Sequence, residues 1–584
     1  MTEPHPDAHP FAERHWRFLL SAIVLLAAAL RAYGLGQFSI WYDESTSIFA
    51  LQYVDWDLRF LKAEETRLIP LNTLFLFFWY AIVEALPGVE MGSRTSDFLL
   101  HMLPGGFSLL TVPLLFAFTR RVTGSAAAGL VAAFLGAISP FQMYYASELG
   151  PHSLYAILVL LAMYSNYRAL EENKLRFWIA SVAFEALSFY AYYFSVFYLA
   201  SVNLFVLLNF RAYRGVFRRW IVCQIVAGLL VLPAIILAAF VFQMHTAAAA
   251  HWFPYPTLKT LLLTFKDWFA GYSPRPAVYW PLFALGMGAF ALGALALRNR
   301  PRNLGFLVFA AFLPLVMQIV FWNTQTFAFY TMRIQLAYSL PAFALAGAGL
   351  AAAPFARARL ALVALIAAFT APALVDHYAQ HIHPVFEHRM GARYKVDNRG
   401  AADFVREHWR EGDVVAHAST VTLGPFLYHY LDAPQVFASL GPEEWEAHLL
   451  TYPDEKVWES IGFLPERLDD FVRDAPRAWL VSAAWEPLVL YPHGILLRDW
   501  LDANGVRLRE RHAGEVDVYL FDLSRPAPAN RVADLGWYTQ TQPASDNRVA
   551  DLELFPEARE PGALDGWIER VSADGIAFVH LRNR

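Results

Sequence analysis

Two adjacent carboxylates, Asp43 and Glu44, stand in the run Trp41-Tyr42-Asp43-Glu44-Ser45, a few residues beyond a long apolar segment from Arg17 to Leu35. A paired acid can take a proton from a hydroxyl or bind a divalent cation. It can equally be the solvated cap of a loop. A third acid, Glu148, follows Tyr145-Ala146-Ser147, and His152 stands four residues on. Four cations, Lys62, Arg67, Arg275 and Arg333, could hold an oxyanion, and Arg is the better fork for bidentate contact. Each could instead be a side chain reaching from apolar surface to water. A lone histidine such as His101 or His152 is more often a hydrogen-bonded structural residue than a ligand. Tyr144, Tyr145, Trp252, Tyr255 and Trp268 could line a groove or form an interfacial aromatic belt.

The elements that position these residues are those of a membrane protein. The 584 residues are 57% hydrophobic and 17% charged, which a soluble globular chain rarely matches. A net charge of −5 argues against a nucleic-acid partner. The single cysteine, Cys223, excludes a disulfide within the chain. Spanning a bilayer takes about 20 apolar residues. Runs near that length cover 17–35, 98–119, 123–145, 153–170, 176–191, 192–210, 219–242, 280–297, 303–322, 335–354 and 358–375. The first is read as a retained signal anchor. About 11 crossings result, or 12–13 if the ambiguous run 69–86 also crosses.

Basic residues collect on the cytoplasmic side. Placing Arg14/Arg17, Arg120/Arg121, Lys174/Arg176, Arg211 to Arg219, Arg298 to Arg302 and Arg357/Arg359 inside gives a consistent alternation, provided 69–86 lies at the interface. The outer face then receives 36–68, 146–152, 243–279 and 323–334, and with them the acids. Leu258 to Ala270 reads as an amphipathic helix in the outer interface plane, with Leu261, Leu262, Phe265, Trp268 and Phe269 on one face. Segment 243–279 would form a mobile loop hinged at Gly271. Residues 1–375 thus form a membrane domain, and 376–584 a soluble extracytoplasmic α/β domain. In the latter, 401–409 has helical spacing, and Val414-Val415-Ala416, Ala478 to Val481 and Val516 to Phe521 read as strands. Asn-Arg-Val-Ala-Asp-Leu occurs twice, at 530–535 and 547–552.

Several stretches resemble a known family. Arg31-x-x-Gly34 before Trp41-Tyr42-Asp43-Glu44, Ile69-Pro70-Leu71 opening an aromatic helix, Leu103-Pro104 through Arg120-Arg121-Val122-Thr123-Gly124, and Ser139-Pro140-Phe141 before Tyr145-Ala146-Ser147-Glu148 occur in its order. The chain resembles the polyprenyl-phosphate-sugar-dependent glycosyltransferases of the GT-C superfamily, family 39, over 17–210 and more loosely over 330–420. That family includes protein O-mannosyltransferases and lipid A aminoarabinose transferases.

The resemblance implies an α-helical GT-C membrane enzyme at the outer face of a bacterial inner membrane. Such an enzyme moves a sugar from a polyprenyl-phosphate donor to an acceptor hydroxyl on a lipid, glycan or protein, with inversion. Asp43 is then the general base, and Glu44 orients the acceptor or joins Glu148 in binding Mg²⁺ or Mn²⁺. Lys62, Arg67, Arg275 and Arg333 would hold the donor phosphate, with His152 and Tyr145 beside the substrate. No nucleotide cofactor is implied. The departures are Gly150 where the family has Arg, His152 near a usual Tyr, His101 where Arg is common, and Ile69 for the first of two prolines. They fall on phosphate-contact positions and leave Asp43 and Glu44 untouched. A lipid or oligosaccharide transporter and a non-catalytic assembly protein are the alternatives. Acids clustered at one face and the absence of a repeat between halves weigh against a transporter.

Overall fold

The computed structural model describes residues 10–49, 51, 70–244, 256–324, 330–382, 395–430, 432–441, 465–483, 493–514 and 516–524. Lys62, Arg67, Trp252, Tyr255 and both copies of the repeated hexapeptide lie outside them. The chain divides into two compact units, one of 1–39 with 43–395, the other of 40–42 with 396–584. Residues 376–395 therefore go with the helical unit.

The first unit is helical. Its elements are α1 (Pro10–Leu35), α2 (Tyr42–Phe49), α3 (Pro70–Glu84), α4 (Arg94–Thr123), α5 (Ala126–Ile138), α6 (Pro140–Ala146), α7 (His152–Glu172), α8 (Leu175–Ala191), α9 (Val196–Leu208), α10 (Phe217–Met244), α11 (Leu258–Ala270), α12 (Pro276–Ala296), α13 (Pro301–Thr324), α14 (Met332–Ala351) and α15 (Ala356–Tyr378). All eleven apolar runs fall on helices. Among the described residues seven of these helices are individually long and apolar enough to cross a membrane, and the pair α5–α6, bent by 57°, would add an eighth. The bend falls at Ser139-Pro140, where proline opens the second helix. Helices α7, α8 and α9 carry more polar residues or are shorter. α3 has 15 residues, about 22 Å at the usual rise, less than the roughly 30 Å of a hydrocarbon core.

α14 is the central helix, with 94% of its apolar window buried. Its glycines allow close approach. A Cβ on Gly347 would stand 2.6 Å from the Ala128 carbonyl of α5, and one on Gly349 would strike the Ala289 carbonyl of α12. Small residues at such crossings let backbones meet where lipid offers no hydrophobic drive. Buried polar ties supplement packing. Arg31 of α1 donates to Ser108 Oγ at 3.0 Å and to the Ala137 carbonyl at 3.3 Å, joining α1, α4 and α5.

The basic loops meet one another. Arg300 donates to the Thr123 carbonyl at 2.6 Å, Arg121 pairs with Glu172 at 2.9 Å, and Arg219 bonds the Asn173 carbonyl at 3.0 Å. These bonds bring together the turns that hold Arg121, Asn173, Arg219 and Arg300.

α11 matches the expected amphipathic helix in its limits but not its surroundings. Lys266 and Asp267 are buried and pair at 2.7 Å. Opposite charges that neutralise each other can enter a core that neither could enter alone. Trp268 is fully buried, and its carbonyl accepts from Ser139 Oγ at 3.1 Å. Gly271 caps the helix with φ +55°, and a Cβ there would stand 2.8 Å from Pro140 Cβ. It is a packed cap, not the free hinge expected of it.

The second unit holds α16 (Asn398–His408), β1 (Asp413–His417), α17 (Thr420–His429), β2 (Gln435–Ser439), β3 (Glu466–Arg467), β4 (Arg477–Ala483), α18 (His493–Asn504), β5 (Val506–Ala513) and β6 (Val516–Asp522). The sheet order is β3-β2-β1-β4-β6-β5. The first four strands are parallel, and β6 and β5 add antiparallel. β4 is buried throughout, as a near-continuous apolar strand in a covered sheet must be. Asp413 holds Arg477 through Oδ1 at 2.7 Å and the Trp479 indole at 3.0 Å, fixing β1 to β4.

Candidate active site at the start of α14

α2 carries the two acids and separates their environments. Thr46 Oγ1 and Ser47 Oγ donate back to the Asp43 carbonyl at 2.8 and 3.1 Å, which fixes the first turn. Consecutive helical residues point about 100° apart, so Asp43 and Glu44 face different surroundings. The Asp43 carboxylate is 41% exposed and lies 3.0 Å from Arg333 Nη1. The Glu44 carboxylate is 1% exposed.

Glu44 is enclosed by donors. Its Oε1 accepts from the Leu149 N–H at 3.1 Å and meets His101 Nε2 at 3.1 Å, with Lys395 Nζ 3.8 Å away. His101 Nδ1 lies 2.7 Å from the Asp97 carbonyl, which can only accept. Nδ1 therefore carries a proton, and the bond to Glu44 needs a second one, on the ring or on the carboxyl. Burial alone would raise the Glu44 carboxyl, but His101, Lys395 and the Leu149 N–H outweigh it and hold it below the usual range. Lys395 also donates to the Ser147 carbonyl and to Ser147 Oγ, and its ammonium lies over the Phe38 and Tyr144 rings.

Glu148 lies in the turn between α6 and α7. Burial pushes its carboxyl up, Lys395 and Arg333 pull it down, Glu44 and Asp43 push it up again, and the result is about 7. His152 Nε2 is 3.6 Å from Glu148 Oε2, while its Nδ1 is buried without a partner. Tyr192, ending α8, stacks edge-on to His152 at 5.7 Å and lies in the electrostatic field of Arg333, Asp43 and Glu148.

Arg333 occupies the first turn of α14. That turn begins at Thr331, in extended conformation (φ −127°, ψ 153°), and no side chain caps it. Thr331 Oγ1 and Arg333 Nε are both buried without a hydrogen-bond partner. Free first-turn N–H groups, a hydroxyl and an open guanidinium edge together form a ready anion site. Asp43 takes only Nη1, so the Nε edge remains for a second oxyanion.

Of the residues expected at the site, the structure brings Asp43, Glu44, Glu148, His152 and Arg333 into one electrostatic cluster. Tyr145 stands in its wall, with its hydroxyl 2.6 Å from that of Tyr272 and its ring 5.4 Å from His152. Arg275 is used elsewhere. It bonds Asp376 at 2.9 and 2.8 Å and the Pro372 carbonyl at 2.7 Å, tying α12 to α15. Lys395 and Tyr192 were missed, and the role of His101 was not recognised. Lys395 sits outside any apolar run, and Tyr192 falls where two runs abut, so neither marks a loop in the sequence.

The carboxylates do not fit the expected divalent cation. Among the described residues no three His, Cys, Asp or Glu converge on one point. Glu44 Oε1 already faces a backbone N–H, an imidazole and an ammonium. Positive charge at this site belongs to Arg333 and Lys395.

The helical unit has the GT-C fold of polytopic membrane proteins. The sequence profile described as dolichyl-phosphate-mannose-protein mannosyltransferase matches residues 89–245. The chain is similar to ArnT from Cupriavidus metallidurans in the apo state, with TM-score 0.57 and 13% identity over 88% of this chain and 100% of that one. It is also similar to the same protein bound to undecaprenyl phosphate, with TM-score 0.57 and 12% identity over 86% and 98%. No curated protein matches the sequence.

Proposed function

We propose that this protein is a membrane glycosyltransferase that moves a sugar from a polyprenyl-phosphate donor to an acceptor hydroxyl. The observation that carries the reading is the start of α14. There Arg333 holds Asp43 at 3.0 Å through Nη1 and keeps a buried, unpartnered Nε beside the unpartnered Thr331 Oγ1. In this reading one guanidinium binds the donor phosphate and positions the base. The profile match to a lipid-phosphate mannosyltransferase and the fold shared with a protein solved with undecaprenyl phosphate agree with that donor class.

In the reaction the acceptor oxygen attacks the anomeric carbon from the face opposite the phosphate. Its proton passes to Asp43, and the C–O bond to the phosphate breaks with inversion. Arg333 and the first-turn N–H groups of α14 stabilise the departing phosphate, which gains charge as that bond opens. Glu148, as a neutral acid below about pH 7, can donate to a phosphate oxygen. Glu44, with His101 and Lys395, holds α2 to the turn after α6. No step is routed through a metal.

The second unit, with its charged surface and α/β sheet, is assigned to the extracytoplasmic side of the inner membrane, the side of Asp43. Mass spectrometry of lipids co-purifying with the wild type and with Arg333→Ala tests the donor class. A polyprenyl phosphate retained by the wild type and lost from the variant is expected. Absence of any such lipid from both, in preparations supplied with it, would favour a transporter or an assembly protein.

A further inference from the structure

The second unit contains a polar turn that the transfer reaction does not use. In the parallel part of its sheet β1 leads through α17 to β2 on one side, while β4 pairs with β1 on the other. The strand order therefore reverses between β1 and β4. In open α/β sheets, ligands bind outside the carboxyl ends of the strands at such a reversal. The residues there are His417-Ala418-Ser419-Thr420, running from the end of β1 into α17.

Most polar groups of this turn are satisfied. The Ala418 N–H donates to the Val481 carbonyl of β4 at 2.9 Å. Thr422 Oγ1 donates to the Ser419 carbonyl at 3.0 Å and lies 3.3 Å from His417 Nδ1. The Thr422 and Leu423 N–H groups share the Ser419 carbonyl at 3.2 and 3.1 Å. Two groups stand apart. Ser419 Oγ and Thr420 Oγ1 are buried with no hydrogen-bond partner, in residues 3% and 0% exposed. Ser419 is the N-cap of α17 and has the extended backbone of one (φ −156°, ψ 165°), yet its side chain accepts no N–H from the helix. A serine at that position ordinarily caps. Buried hydroxyls left unmade are costly and rare.

We infer that the first turn of α17, with Ser419 and Thr420, is a binding site for a phosphoryl oxyanion. The donors are two hydroxyls and the uncapped first-turn N–H groups at the positive end of a ten-residue helix. A phosphoryl group is acceptor-only at three terminal oxygens and can engage all of them, whereas a carboxylate offers two. The phosphoryl group can belong to a soluble phosphomonoester or to a lipid headgroup. This site is independent of the donor site at α14 and does not require the transfer reaction.

The test is equilibrium dialysis of the full-length protein in detergent against labelled inorganic phosphate, in an Arg333→Ala background that removes the donor site. Saturable binding near one phosphate per chain is expected. Thr420→Val removes one hydroxyl at nearly constant volume and should weaken binding at least tenfold. Thr420→Pro also removes an N–H, at a first helical position that accepts proline after an extended residue, and should abolish it. A fold check by thermal unfolding accompanies both variants. Displacement by glycerol 3-phosphate or by phosphatidate in nanodiscs identifies the soluble or lipid source, and either upholds the site. No saturable binding in the Arg333→Ala protein, unchanged affinity in both folded Thr420 variants, or equal competition by acetate would overturn it.

Discussion

Exposure separates the neighbouring acids of α2. Asp43 reaches solvent and an arginine, and Glu44 is sealed among donors. Replacing Glu44 with Ala strands His101 and Lys395, and breaking such a buried cluster costs about 3–5 kcal/mol. Thermal unfolding of that variant should fall by several degrees, whereas Glu44→Gln, which still accepts from Leu149, should lose less. Glu148 sets a pH dependence. Its carboxyl, raised by burial to about 7, is neutral below that value and charged above it. A phosphate donor should therefore bind more weakly as pH rises through about 7, and Glu148→Gln should flatten the profile of the donor KM. The same shift acts on stability. Between about pH 4.5 and 7 the folded state holds a proton that the unfolded state has released, so this group's contribution falls as pH rises through that window. The acids and Arg333 were legible in the sequence because charges beside apolar runs stand out. Lys395 was not, since only the fold brings it back to Ser147 and Glu44.

At the scale of elements, α14 couples packing to chemistry. The glycines that seat it against α5 and α12 fix where its first turn, and so Arg333, emerges. Gly347→Leu should push α14 away from Ala128, lower expression of folded protein and reduce donor binding, although the substitution lies several helical turns from the site. Arg333→Lys tests the fork itself. A lysine can pair with Asp43 or with phosphate but cannot present two parallel donors to each, so the donor KM should rise by about tenfold or more while the protein stays folded. The helices were readable from apolar run length, and their packing partners were not. α11 shows the reason. Its periodicity was plain, but the neighbours Lys266 and Asp267 pair inside a core because segments distant in sequence, such as the turn at Ser139, pack over the helix.

The whole molecule comprises a membrane unit holding one acid–arginine pair at a helix start and an α/β unit with a second anion-ready turn. Three strands of the second unit, β1, β4 and β6, were visible as short apolar runs, whereas β2, β3 and the charged β5 were not. Their order was not, because parallel pairing is set by crossovers that leave no local mark. The claim that organises the molecule is proton transfer to Asp43 in the transfer of a sugar from a lipid phosphate. It is tested most directly by comparing wild type and Asp43→Asn for both donor binding and single-turnover transfer, with radiolabelled polyprenyl-phosphate sugar and membrane extract as acceptor. The variant should bind the donor within a few-fold of wild type and transfer about 10²- to 10⁴-fold more slowly. Transfer by a correctly folded Asp43→Asn protein at the wild-type rate would contradict the assignment.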